Sequence, residues 1–490
     1  MFEGSRLTST PGKATHREPY SRKQRGHEVT RYSIRTCLLC GALALAGAAH
    51  AQKIDPASGV AESGGNAVSR VSLAAQDLPV PGAHRAIVEP IAGEGGNAVA
   101  TPGPVQHWEL ADARALYLVI GGIGTEGLDP ADYDLGGLGR AIEAGAGDAL
   151  DREASRDFSE LIEDLRDGRT PMAARLQWFV KDPDAENMPT AQVMADALAS
   201  RDIAGVVDKL APTYPDYAAL RQALAETPAD DTGRIALIRA NMDRWRWLPH
   251  DLGKRFLIEN VPEFELRLVV QDKVIRTYRT IVGKPGRTAT PQFADQVDGI
   301  IFNPTWNVPQ SIVVGEGLGA KVLNNPAWAR SKGYVATRSG GRLNIVQQPG
   351  PNNALGIVKL DMPNPYSVFM HDTPSKKLFD TKVRAYSHGC IRTQNVLELA
   401  IALATMGGID KDKAVAISDS GIYTKVPLPE PTPVYITYFT MGRDVDGKLT
   451  SFKDIYKRDA PVLASFSKPR TQDRPRTSTE KAEGTDAPGA

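Results

Sequence analysis

The sequence predicts an α+β multidomain chain: a mainly helical scaffold domain followed by a mostly β catalytic domain. Three observations lead there. Apolar residues recur at helical spacing between residues 106 and 245, the period changes to alternation from about 254, and the flanks before 106 and after 462 carry neither pattern. Length agrees, because about 440 residues beyond an N-terminal leader suit two or three domains. With 41% apolar residues there is enough material for real cores.

Residues 1–51 read as a secretory signal. Eight Lys and Arg against three Glu precede "TCLLCGALALAGAA", and Ala49-His50-Ala51 offers a small-x-small cleavage site. The basic region is long for a signal, so a later start codon or a retained anchor stays open. Leu39 before Cys40 is not small, which argues against a lipoprotein box. Residues 52–105 are rich in Gly, Ala, Ser and Pro, with "ESGGNAV" echoed by "GEGGNAV", the composition of a flexible linker.

The scaffold domain is expected over 106–250. "REASRDFSELIEDLRDG" places Phe158, Leu161, Ile162 and Leu165 on one face and ends at Gly168, a residue suited to a C-terminal cap. Further helices are predicted in "TAQVMADALAS", "DIAGVVDKLA", "YAALRQALAE" and "TGRIALIRANMDRW". The catalytic domain is expected over 254–462. "KRFLIENV", "EFELRLVV" and "KVIRTYRTIVG" alternate large apolar with polar residues, and Gln271-Asp272 can turn the second run into the third. "RLNIVQQ", "IVKLDM" and "YSVFMHD" continue the strands, "VLELAIALATM" interrupts them with one helix, and a hairpin around Asp446-Gly447 closes the domain. The polar, charged residues 463–490 are expected to be a disordered tail.

Charge excludes one class of partner. The 58 basic and 58 acidic residues balance, so nothing marks a nucleic-acid surface. No apolar run after the signal reaches the roughly 20 residues of a membrane helix. The mature protein is therefore expected to be soluble, outside the cytoplasm and without a membrane span.

"LYLVIGGIGTEGLDPADYD" supplies Gly122-x-Gly124-x-x-Gly127 after an apolar run, the bare form of a dinucleotide fingerprint. A pyrophosphate there needs the N-terminus of a continuing helix, and Leu128-Asp129-Pro130 breaks the chain instead. A glycine-rich turn between helices is the better reading, and no cofactor is expected.

Chemistry concentrates in "FMHDTPSKKLFDTKVRAYSHGCIRTQN". Once the signal is removed, Cys390 is the single cysteine, an unpaired thiol in an oxidising compartment. Three readings compete. His371, His388 and Cys390 fall short of the four ligands of structural zinc, so no metal is expected. A buried thiol with satisfied histidines is possible, though Ser387, His388, Gly389 and Arg392 are polar company for such a pocket. A nucleophile accounts for more: the thiol needs a neighbouring imidazole to take its proton, and either histidine could serve. Gly389 lets the backbone approach, and amides around Cys390 could hold an oxyanion.

The run from His371 through fifteen residues to Ser387-His388-Gly389-Cys390 resembles the signature of the YkuD-type L,D-transpeptidase family. Arg392 matches the larger, YcbB-like periplasmic branch, as do "NMDRWRWLP", "NPTWNVPQSI", "PGPNNALGIVK" and "GLDPADY". The resemblance implies Cys390 as nucleophile, His371 as general base and the Asp372 backbone carbonyl as the group orienting it. His388 would then line the pocket beside the oxyanion region at Gly389, with Ser387 and Arg392 toward substrate; Arg392 could hold a stem-peptide carboxylate or brace the loop. It also implies peptidoglycan tetrapeptide stems as donor and acceptor, a thioester intermediate, 3-3 crosslinks or hydrolysis, and carbapenem sensitivity. The segment from about 303 to 350 is a candidate lid, and the "RWRW" tryptophans a packing joint between domains. One departure stands out: only a few residues separate "YAALRQALAE" from "TGRIALIRANMDRWRW", leaving no room for the peptidoglycan-binding insert of that branch. Other readings are a non-catalytic wall-binding adaptor, or transfer of the stem to a protein lysine or a D-amino acid.

Overall fold

The computed structural model describes residues 104–471; the expected signal, the linker up to 103 and the tail from 472 lie outside the described residues. A helical region comes first: α1 (Leu110–Gly122), α2 (Leu135–Ala144), α3 (Asp148–Asp167), α4 (Asp184–Asn187), α5 (Thr190–Ser200), α6 (Ile203–Leu210), α7 (Pro215–Glu226) and α8 (Thr232–Trp245). The longest, α3, buries Phe158, Leu161, Ile162 and Leu165 against α1, α2, α5 and α6, and stops where Gly168 turns to φ 88°. That conformation favours a residue without a Cβ. Asp134, Asp202 and Asp231 each accept a hydrogen bond from the third residue beyond, capping α2, α6 and α8. The apolar run before Gly122 is helix α1 itself, followed by a 3₁₀ turn over Ile123–Glu126, so no strand precedes those glycines.

The β region contains β1 (Arg255–Asn260), β2 (Glu265–Val270), β3 (Lys273–Gly283), β4 (Phe293–Phe302) and β5 (Trp306–Asn307). Helices α9 (Gln310–Val313), α10 (Leu318–Asn324) and α11 (Pro326–Ser331) follow, then β6 (Tyr334–Ser339), β7 (Arg342–Gln347), β8 (Val358–Asp361), β9 (Met370–His371), β10 (Ala385–Ser387) and β11 (Ile391–Thr393). Last come α12 (Val396–Met406), α13 (Lys411–Asp419), β12 (Thr424–Thr437), β13 (Met441–Arg443), β14 (Leu449–Ser451) and α14 (Asp459–Ser465). The main sheet runs β10-β3-β11-β9-β8-β4-β12-β1-β2, and β2 also pairs with β3, so eight strands close on themselves. Leu257, Leu266, Phe302, Leu360, Met370, Ile391 and Val434 fill the interior together with one face of α12. Residues 271 and 272 both take positive φ, as a tight two-residue hairpin turn requires.

Three details differ from the sequence reading. Helices α9–α11, α13 and α14 join the one helix expected after 254. Residues 310–331 become helical because they build a small core of their own, with Val308, Val313, Val322, Ala329 and Ile345. In "YSVFMHD" only Met370 and His371 pair as strand, because Asn364 holds the preceding loop through its contacts with the backbone of Met362, Tyr366 and Val368. The stretch 463–471, expected to be disordered, is packed: Ser465 is buried, and Arg470 reaches Asp164 at 2.9 Å and Glu163 at 3.0 Å.

Candidate active site

Strand register builds the site. Ile391 pairs with Met370 and Arg392 with His371, while Lys359 of β8 stands opposite His371 on the other side. Met370 and Ile391 point into the apolar interior, so alternation turns Lys359, His371 and Arg392 outward in one row across three strands. Cys390, two residues before Arg392, opens onto the same cleft. The loop that presents it needs Gly389, whose φ of 120° is costly for any side chain. Thr290 ties that turn to the barrel: its hydroxyl donates to Gly389 O at 2.8 Å and accepts from Gly283 N at 2.9 Å.

The cleft is about 940 Å³, enough for a peptide segment. The candidate lid, spanning β5 to β7, forms one wall with Trp306, Gln310 and Asn344. Tyr366 and Phe179 form another, stacked at 4.9 Å. Phe179 comes from the scaffold's own connection between α3 and α4, which bonds to Gln292 just before β4. Sequence reasoning gave Phe179 no role, and only the fold brings it here.

His371 is 5% exposed, and its Nδ1 lies 2.5 Å from the backbone oxygen of Asp372. With Nδ1–H donating to that carbonyl, Nε2 carries the lone pair. Burial, then the positive charge of Arg392, lowers the imidazole to about 3, with the Asp372 and Leu355 carbonyls pulling the other way. His371 is thus neutral at every physiological pH. The Cys390 thiol is also shifted: burial pushes it above its ordinary range, opposed by the Phe369 N–H and the charges of Lys359 and Arg392. It donates to Ser367 O at 3.5 Å, and Ser367 takes a φ of 54°, an unusual conformation beside the thiol. The resting pair is therefore neutral thiol and neutral imidazole.

The remaining expected residues divide. Ser387 is buried, and its hydroxyl accepts from Gly389 N at 3.2 Å, so it braces the loop in this state. Arg392 makes no ion pair among the described residues, and its charge lies beside Cys390 and His371. His388 is partly exposed and bonds through Nε2 to Glu316 of the lid. Asp372 contributes its carbonyl to His371, while its carboxylate accepts from Ile357 N and Lys376. Sequence reasoning missed Lys359 and Glu316. A single lysine in "IVKLDM" and a single glutamate in "VVGEGLG" carry no local signal, because their meaning comes from register and lid docking. Among the described residues no group of three His, Cys, Asp or Glu side chains could hold a metal, and no helix is long and apolar enough to cross a membrane.

Helical scaffold, closed β domain and a cleft joining one thiol to one buried imidazole define a two-part protein with a thiol–imidazole site. Residues 254–436 match the model of the L,D-transpeptidase catalytic domain, YkuD, and residues 107–224 match the Scaffold domain. The chain thus carries a YkuD L,D-transpeptidase catalytic domain behind a Scaffold domain. It is 27% identical over 238 residues to a Haemophilus influenzae protein bearing the provisional name L,D-transpeptidase, covering 45% of this chain and 48% of that one. The chain thus spans about half the length of that curated relative. Solved structures resemble it weakly. An L,D-transpeptidase from Mycobacterium smegmatis gives 14% identity over 38% of this chain and 58% of that one, with a TM-score of 0.20. LdtMt1 in complex with imipenem gives 16% identity over 38% and 59%, with a TM-score of 0.19.

Proposed function

We propose that the protein is a periplasmic L,D-transpeptidase that joins peptidoglycan stem peptides through a thioester on Cys390. The observation that carries this reading is the shared face of Cys390 and a neutral His371 whose Nδ1 is tied to the Asp372 carbonyl. Nε2 of His371 takes the thiol proton as sulfur attacks the carbonyl of the third residue of a tetrapeptide stem. The N–H groups of Cys390 and Gly389 face the developing oxyanion, Gly389 N releasing the Ser387 hydroxyl to do so. Collapse expels the terminal D-Ala, which leaves with the proton from His371. The side-chain amine of a second stem then takes the acyl group, giving a 3-3 crosslink, whereas water would give L,D-carboxypeptidase activity. Arg287, Arg342 and Arg392 line the cleft and suit the carboxylates of a stem peptide.

Intact-mass spectrometry of the mature protein with a carbapenem tests the chemistry. A single covalent adduct is expected on the wild type and none on Cys390→Ala. If the wild type stays unmodified while a thiol reagent still labels Cys390, acyl transfer is wrong and a non-catalytic wall-binding role takes its place.

A further inference from the structure

Of the two histidines in the cleft, the mechanism above uses only His371. His388 is bound differently: its Nε2 meets the carboxylate of Glu316, which lies between α9 and α10 of the lid. Glu316 is the only carboxylate among the described residues lining a cleft that also holds Arg287, Arg342 and Arg392. A cleft otherwise built for anions thus keeps one negative charge, and the lid places it on the residue two positions before the nucleophile. With Nε2–H donating to Glu316, Nδ1 of His388 carries the lone pair, and no hydrogen bond engages it among the described residues. Both side chains remain reachable from solvent, at 39% and 51% exposure.

We infer that His388 and Glu316 form a second, acceptor-side dyad that receives an ammonium group and removes its proton before it attacks the thioester. The inference rests on the proposed transpeptidation and names the residues that handle its second half. At neutral pH an alkyl amine is almost wholly protonated and cannot attack. Glu316 pairs with the incoming ammonium, and Nδ1 of His388 takes one proton. The freed lone pair forms the C–N bond to the thioester carbonyl. Collapse of the tetrahedral intermediate breaks C–S, leaving the electron pair on Cys390. The second amine proton passes through Nε2 of His371 to restore the thiol, and the His388 imidazolium discharges its proton to the solvent that reaches it. The charged or titratable groups that line the cleft with His388 are Glu316, Arg287, Arg342, Arg392, His371, Cys390 and Tyr366.

The test separates the two half-reactions in the full mature protein. A tetrapeptide stem is supplied as donor, with either a tripeptide stem or hydroxylamine as nucleophile, and acyl-enzyme, crosslink and hydroxamate are followed by mass spectrometry. Glu316→Gln keeps an oxygen that can accept from His388 but loses the charge, and His388→Asn removes the base. Both are expected to slow transfer to the stem amine at least tenfold more than acylation, a modest share of what a general base supplies. Hydroxylamine, already uncharged at neutral pH, should be affected much less. Equal slowing with both nucleophiles would mean that the pair only holds the lid, and the dyad is overturned. It is overturned as well if neither variant changes the partition. No acyl-enzyme on the wild type would overturn the transpeptidase reading itself.

Discussion

At the scale of the residue, protonation distinguishes this site from a preformed thiolate–imidazolium pair. Burial raises Cys390 and lowers His371, so each shift opposes charge separation. The sign is definite. His371 is deprotonated from about pH 3 upward and available as a base throughout the neutral range. Thiolate accumulates only as pH rises past the ordinary thiol range. Alkylation of Cys390 by iodoacetamide should therefore climb with pH through a single limb, slower at neutrality than for a free cysteine. A plateau reaching into acid would instead reveal an ion pair. Arg392 favours the thiolate, so Arg392→Gln should displace that limb further toward alkaline pH and slow acylation roughly tenfold. Signature spacing made His371 and Cys390 legible in the sequence. Their protonation was not, since it depends on Lys359 and on burial under a lid contributed by other segments.

At the scale of the element, the lid is a semi-independent unit pinned at its base. The Asn353 side-chain amide donates to the carbonyls of Pro304, Gln347 and Gln348, and its oxygen accepts from Leu355 N. One buried residue thereby joins both ends of the 304–355 segment. Asn353→Ala would strand several buried backbone groups, at a cost of about 3 kcal/mol in local stability. Hydrogen exchange should become faster across β6 and β7 while the main sheet keeps its protection. The balance between crosslink and hydrolysis products should shift toward hydrolysis, because water enters a loosened cleft. Unchanged exchange in β6 and β7 would rule out Asn353 as the pin. Gly356 sits beside it for a related reason: at φ 65° any Cβ would lie 2.3 Å from the Asp372 carboxylate.

At the scale of the whole molecule, two further joints hold scaffold and β domain together besides the contact at Phe179. Trp245 stacks on Phe439 at 4.4 Å and leans on Tyr214, and Trp247 meets Trp178 edge-on at 5.2 Å, inside one cluster that also takes Phe256 and Ile258 of β1. The second joint is the C-terminal segment. Arg244 pairs with Asp459 at 2.7 Å, Arg169 donates to the carbonyls of Ser465 and Lys468, and Arg470 lies among Glu160, Glu163 and Asp164 of α3. Arg470→Ala would leave these poorly solvated carboxylates facing one another, at a cost of about 3 kcal/mol. The expected result is a lower melting temperature with the mass of the carbapenem adduct unchanged, measured by calorimetry beside intact-mass spectrometry. A melting temperature equal to the wild type would show the strap to be dispensable.

The sequence by itself determined the order of a helical and a β domain, the faces of α3, the hairpin at 271–272 and the run that carries His371 and Cys390. Each of these rests on period, turn chemistry or spacing over a short run of chain. Tertiary structure alone decided what lies next to what. Register across β8, β9 and β11 sets Lys359 and Arg392 on either side of His371. Lid docking brings Glu316 to His388, and the return of the C-terminal segment orders residues that look disordered in isolation. The physical reason is common to all three: these contacts join residues far apart in the chain, and their energy comes from burial and charge pairing that exist only after the elements have packed.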